Sequence, residues 1–259
     1  MLTPGEIIET AYGIGERKIA ATRNSKLRLF TASLQGGGFV GLGGLLSVVV
    51  SSGFFLYGNN PSLAKLMAGM FFPVGLIMIV ILGAELFTGN NALLIPAFMK
   101  KKYTVADVLT NWTVVYFGNF IGIVLFAWLF VYCCGITSGD PYHQTVINSA
   151  VAKVSQPWLI IFIKGIGANW CVCLAIWLAL CSRSFPGKVL GAWIPVMTFA
   201  TLGYEHCIAN MFYLSIGLFE GADITIGDCL WMNLVPSTLG NIIGGALFVG
   251  TLHTWLHGK

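Results

Sequence analysis

Apolar residues run along this chain in stretches too long for the core helices of a soluble protein, and polar residues fall mostly between them. Six stretches reach the roughly 20 residues needed to cross a bilayer: 34–57, 66–99, 108–133, 158–181, 190–219 and 229–256. The pattern predicts an all-α membrane protein with six transmembrane segments. The second and fifth are overlong, and each contains a polar octet. These are Gly83-Ala84-Glu85-Leu86-Phe87-Thr88-Gly89-Asn90 and Gly203-Tyr204-Glu205-His206-Cys207-Ile208-Ala209-Asn210, 120 residues apart and both reading G-x-E-x-x-x-x-N. Irregular backbone and a carboxylate are tolerated at membrane depth only where protein or a cavity covers them. Each octet therefore predicts a break between two half-helices.

A second motif repeats at nearly the same offset. Gly118-Asn119-Phe120-Ile121-Gly122 in the third stretch matches Gly240-Asn241-Ile242-Ile243-Gly244 in the sixth, 122 residues later. Residues 34–133 thus read as one three-helix repeat and 157–256 as a second, within a single transmembrane domain spanning 1–259. Three spans per half is an odd number, so the second repeat enters the membrane from the opposite side. Matching breaks in inverted halves mark a transporter or channel with its site near the midplane. Residues 1–30 read as an amphipathic helix lying at the cytoplasmic interface, with Leu2 and Ile7 among its apolar contacts. No short apolar stretch with a small-residue cleavage site follows, so it is not read as a cleavable signal.

Composition agrees with the pattern. The chain is 56% apolar, its mean hydropathy is +0.81, and 9% of its residues are charged, against roughly 25% in soluble domains. So few charges cannot cover a soluble surface, and no stretch is left for a second, soluble domain. Arg17, Lys18, Arg23, Lys26, Arg28, Lys100, Lys101, Lys102, Arg183, Lys188 and Lys259 fall on one side of this topology, eleven of the fourteen basic residues. The positive-inside rule makes that side cytoplasmic, with both termini on it. The seven cysteines form no ligand pattern, and neither a metal site, a cofactor nor a nucleic-acid partner is expected.

The chemistry concentrates at the breaks. Glu85 and Glu205 are expected to accept hydrogen bonds from backbone N–H groups in the broken segments, or to sit protonated, rather than to touch an anion. Gly83, Gly89 and Gly203 permit the break conformations, Thr88 offers a hydroxyl, and Asn90 and Asn210 offer amides. His206 is the histidine within a span at mid-depth, able to hand a proton to a weak-acid anion or to serve as a packed core residue. Lys153 or Lys164 supplies positive potential to an anion vestibule. Asn169 bonds either to the broken backbone or to a ligand. Leu86, Phe87 and Phe199 narrow the path. The set suits a small neutral or monovalent solute.

With these motifs in place, the chain closely resembles the formate/nitrite transporter family. The resemblance rests on the first octet through Gly89, on Ala168-Asn169-Trp170-Cys171-Val172-Cys173-Leu174-Ala175-Ile176-Trp177, and on the second octet extended through Met211-Phe212. It implies a homopentamer of aquaporin-like protomers in the bacterial cytoplasmic (inner) membrane, each protomer with its own pore. By motif position His206 matches the central pore histidine, Thr88 the threonine facing it, and Asn169 the asparagine of the fourth segment. Lys153, sixteen residues before Asn169, matches the lysine that draws anions into the outer vestibule. Leu86 and Phe199 match constriction residues, with Leu76 and Phe72 beside them on the path. Formate is the leading substrate by analogy, with hydrosulfide or nitrite as alternatives. A membrane enzyme built on Glu85, Glu205 and His206 is the rival class, but no nucleophile, metal cluster or cofactor motif accompanies them.

Overall fold

The structure is a computed structural model that describes residues 1–258; Lys259, counted above with the cytoplasmic charges, lies outside the described residues. Among the described residues all regular structure is helical. Helix α1 (Pro4–Asn24) opens on a capping box, in which Thr3 Oγ1 accepts from the Glu6 N–H and the Glu6 carboxylate accepts from the Thr3 N–H. Pro4 sits at its first position, where a missing N–H costs nothing. Ser25 then caps α2 (Lys26–Leu56). An apolar run bent at Phe72-Pro73 forms α3 (Pro61–Phe71) and α4 (Val74–Leu82), followed by α5 (Phe87–Leu93) and α6 (Ile95–Met99). Helix α7 (Val105–Phe126) continues in wider π-turns through Ala127–Tyr132. Next come α8 (Tyr142–Val154), α9 (Trp158–Cys181), α10 (Phe185–Leu202) and α11 (Cys207–Phe219). The last column joins α12 (Ile226–Asp228), α13 (Val235–Ile242) and α14 (Leu252–His257) through two π segments.

Five helical runs are long and apolar enough to cross a membrane: Lys26–Leu56, Pro61–Leu82, Val105–Tyr132, Trp158–Cys181 and Ile226–His257. The stretch read as a fifth span is two helices, α10 and α11, split at the second octet. Both breaks fall where the octets put them. Helix α4 ends at Gly83 with φ 78° and α10 at Gly203 with φ 73°, left-handed conformations that glycine adopts without a Cβ clash. The Gly-Asn motif acts through close approach. A Cβ on Gly122 would lie 2.1 Å from the Leu34 carbonyl oxygen of α2, and one on Gly244 2.2 Å from that of Ile166 in α9. Small residues at these points let α7 seat on α2 and the last column seat on α9.

Two elements add to the sequence reading. Helix α1 is docked on the bundle through Ile8, Ala11, Gly15, Ile19 and Thr22, with Ile7 packed at the edge of the same cluster and Leu2 half-buried. Its small and apolar residues recur at helical spacing and fit against Ala92, Leu93 and Val249. Helix α8 lies between the third and fourth apolar stretches and packs tightly on α11, where a Cβ on Gly217 would lie 2.2 Å from that of Ala150. One face of the molecule gathers α1, the lysines after α6, the end of α9 and α14. Lys100 lies 3.5 Å from Glu9, Arg23 lies 2.7 Å from Asp107, and the Leu2 N–H donates to the Cys181 carbonyl.

Candidate functional site

Each break is held by one asparagine from the Gly-Asn motif. In the first, Asn119 Oδ1 accepts from the Phe87 N–H at 2.9 Å, and its Nδ2 donates to the carbonyls of Ser33 and Glu85, both at 2.8 Å. In the second, Asn241 Oδ1 accepts from the Cys207 N–H at 2.8 Å, and its Nδ2 donates to the carbonyls of Gly165 at 2.8 Å and Glu205 at 2.9 Å. The backbone groups that a break exposes are thus satisfied within the membrane-depth interior, where water is not available to do so.

The two glutamates find side-chain partners rather than the backbone donors expected. Glu85 Oε2 accepts from Lys18 Nζ at 2.7 Å and Asn90 Nδ2 at 2.8 Å. Glu205 Oε2 accepts from Lys153 Nζ at 2.9 Å and Asn210 Nδ2 at 2.8 Å, and Gln156 reaches its other oxygen at 3.2 Å. The amides of Asn90 and Asn210 also donate to Asn111 Oδ1 at 2.9 Å and Asn233 Oδ1 at 2.7 Å. A buried carboxylate requires a counter-charge, and the break's own backbone supplies none. Lys153 is therefore engaged by Glu205 and does not stand free in the vestibule. Lys164 donates to Gln156 at 2.5 Å.

His206 is the N-cap of α11, and its Nδ1 accepts from the Ala209 N–H at 3.1 Å. With Nδ1 accepting, the neutral ring carries its proton on Nε2. Nε2 lies 2.8 Å from Thr88 Oγ1 and donates to it. Thr88 is fully buried and reaches the site only through that bond. Asn169 is also fully buried and spends its amide on the Thr88 carbonyl at 3.2 Å, Asn91 Oδ1 at 3.1 Å and the Asn241 carbonyl at 2.7 Å. Of the two roles the sequence left open for Asn169, backbone support is the one its geometry performs.

Three cavities lie in series. An outer one of about 270 Å³ is lined by Lys65, Lys153, Glu205, His206, Phe72 and Phe199. A central one of about 10 Å³ is lined by Phe72, Leu76, Leu86, Val172, Phe199 and His206. An inner one of about 460 Å³ is lined by Arg17, Lys18, Glu85, Leu86, Gly89 and Asn90. The central space holds one water at most. Phe72 and Phe199 meet edge to face at 5.8 Å between the outer and central cavities, and Leu86 lines both the central and inner ones. Phe87, expected on the path, turns away and packs on Trp112 and Tyr116, because the chain passes there from the extended Leu86 into the first turn of α5.

Residues 5–255 match the family described as formate/nitrite transporter. The chain belongs to that family. It is 40% identical to the formate channel BtFdhC of Bacillus thuringiensis over 251 residues, covering 95% of this chain and 92% of that one. It is 34% identical to a probable formate transporter of Methanothermobacter thermautotrophicus, covering 99% and 97%. Among solved structures, an FNT family ion channel superposes with a TM-score of 0.88 at 30% identity, covering 97% of this chain and 98% of that one. A pentameric formate channel with formate bound superposes with a TM-score of 0.78 at 29% identity, covering 92% and 99%. This formate/nitrite transporter family member is thus a multi-pass membrane protein of a transporter family, and the membrane-enzyme reading falls away.

Sequence reasoning missed Lys18, Asn111, Asn233 and Gln156. Asn111 and Asn233 stand 122 residues apart, the offset of the Gly-Asn motif, and that offset was the signal that marks them. Lys18 lies within a basic segment that topology already explained.

Proposed function

We propose that this chain passes small monovalent anions, formate foremost, through a pore in each protomer of a homopentamer in the bacterial cytoplasmic membrane. Its six transmembrane segments place both termini in the cytoplasm, as the distribution of basic residues supports. The observation that carries the reading is a single polar pair, His206 and Thr88, at an apolar chamber between two lysine-bearing cavities. An anion leaving water at either mouth loses its hydration between Phe72 and Phe199 or at Leu86. A bare charge in the apolar chamber is costly. The Nε2–H of His206 offsets part of that cost by turning from Thr88 to the anion, and a proton drawn from bulk solution onto a weak-acid anion removes the charge altogether while the ring is neutral before and after. His206 caps the N-terminus of α11, so the positive dipole end of that helix faces the same place.

Flux in proteoliposomes tests the reading directly, with formate, nitrite and hydrosulfide as parallel substrates. Formate is expected to pass fastest, and fluxes no higher than in protein-free vesicles for all three would overturn the proposal. His206→Asn removes the titratable donor. A hydrogen bond to a charged partner contributes about 1.5–3 kcal/mol, so formate flux is expected to fall about tenfold or more, with its pH dependence flattened. A variant that assembles and retains the parent's flux and pH profile returns His206 to the core.

Leu86→Ala and Phe199→Ala test the narrowing. Each is expected to raise lactate flux relative to formate, measured in the same vesicles, because bulk rather than charge is removed. An unchanged ratio in both variants would place the filter elsewhere.

A further inference from the structure

The face opposite the basic one presents an unfavourable surface to an anion. Its lysines are Lys65, Lys153 and Lys164, and its carboxylates are Asp140, Glu205, Glu220, Asp223 and Asp228, so acid outnumbers base. The outer cavity opens on this face and must collect anions against that background. Of the two lysines that line it, Lys153 lies 2.9 Å from Glu205 Oε2 and 5.4 Å from the centre of the Tyr213 ring. Lys153 and Glu205 together are formally neutral. Lys164 is tied to Gln156 and does not line the cavity.

Lys65 is different. It stands exposed on α3, lines the outer cavity with Ser51 and Phe55, and enters no ion pair or side-chain hydrogen bond among the described residues. With the other pair cancelled, the net positive charge of the mouth is that of Lys65. We infer that Lys65 is the residue that concentrates monovalent anions at the outer mouth, while Lys153 serves to hold Glu205. This rests on the anion-passing reading above. A charge at a low-dielectric cleft raises the local concentration of opposite charge and loses that effect as salt screens it. The side chain acts before the narrowing, so it governs capture and not passage through the chamber.

The test is formate flux in proteoliposomes at low substrate across a salt series. In Lys65→Gln, flux is expected to fall about threefold at an ionic strength of about 0.01 M, where the screening length is about 30 Å, and to match the parent at about 1 M, where it is about 3 Å. Saturating formate is expected to erase the difference, and Lys65→Arg to retain the parent's flux throughout. Lys65→Cys, made with Cys133→Ser and Cys134→Ser to remove the exposed thiols, gives the sharper arm. A trimethylammonium-ethyl methanethiosulfonate is expected to restore low-salt flux, a neutral methyl reagent to leave it low, and a sulfonate reagent to lower it further. Equal loss at every salt, no loss at any salt, or equal rescue by the neutral reagent would each overturn the assignment to Lys65 while leaving anion passage standing. Absence of formate flux in the parent protein would overturn the underlying reading itself.

Discussion

Asn241→Leu is expected to cost the protein its folded core rather than to tune its transport. The side chain is fully buried and makes three hydrogen bonds to backbone groups on two elements. Two of those groups, the Cys207 N–H and the Glu205 carbonyl, lie in the break beyond the helical ladder of α10. Leucine fills nearly the same volume but leaves both without a partner. Each unsatisfied buried group costs about 1–3 kcal/mol, so the substitution removes about 2–6 kcal/mol from a total stability of about 5–15 kcal/mol. Thermal unfolding of the detergent-solubilised protein is the measurement, with a marked fall in midpoint and loss of folded material expected. Asn119→Leu is expected to behave alike, since Asn119 performs the same work at the first break. Parent-like melting in both variants would mean that the breaks are held by something other than these amides.

Much of this arrangement was legible in the chain, because it is written twice. The octets located both breaks, with Gly83 and Gly203 in the left-handed conformation that a break requires; Gly89, expected to serve the same way, lies inside α5. The Gly-Asn motif marked the repeat, although its purpose emerged only once Asn119 and Asn241 were seen reaching into the breaks. What stayed hidden lies outside the repeated segments. Helix α8 is too short and too polar to read as a span, and its β-branched residues favour no helix by themselves. It is helical because Ala150 and its neighbours pack onto α11. Helix α1 was legible as a helix, but its docking depends on a groove formed by other segments.

These two outlying helices share a role that their sequences conceal. Lys18 of α1 meets Glu85 while Asn111 donates to Thr22 of the same helix at 3.0 Å. Lys153 of α8 meets Glu205 while Asn233 donates to the carbonyl of Lys153 itself at 2.9 Å. Each three-span repeat is thus completed by a preceding helix that delivers an ammonium to the carboxylate of its break. Lys18 and Lys153 stand 135 residues apart, against 120 for the glutamates, so no constant offset links them. The physical requirement links them instead: a glutamate at membrane depth needs a cation, and each half recruits one from the helix at its own mouth.

Lys153→Met is expected to destabilise the protein strongly, and the Lys153→Met, Glu205→Gln double variant to recover most of the loss. The Glu205 side chain is 4% exposed and that of Lys153 17%, so methionine strands a carboxylate with only amides to face it. Removing one member of a buried pair costs about 3–5 kcal/mol, whereas replacing both with neutral groups is often close to neutral. The glutamine of the double variant still accepts from Asn210 through its carbonyl oxygen, so the amide chain to Asn233 survives the change. Melting midpoints of the parent, both single variants and the double variant supply the cycle. A coupling of about 2 kcal/mol or more is expected, because the residues are in direct contact. A free collecting charge predicts a different result: a small effect on melting, no coupling to Glu205, and a loss of low-salt flux that the double variant does not repair. The 2.9 Å contact decides between the two in advance, since an ammonium held by a carboxylate at that distance has little field left to project into the mouth.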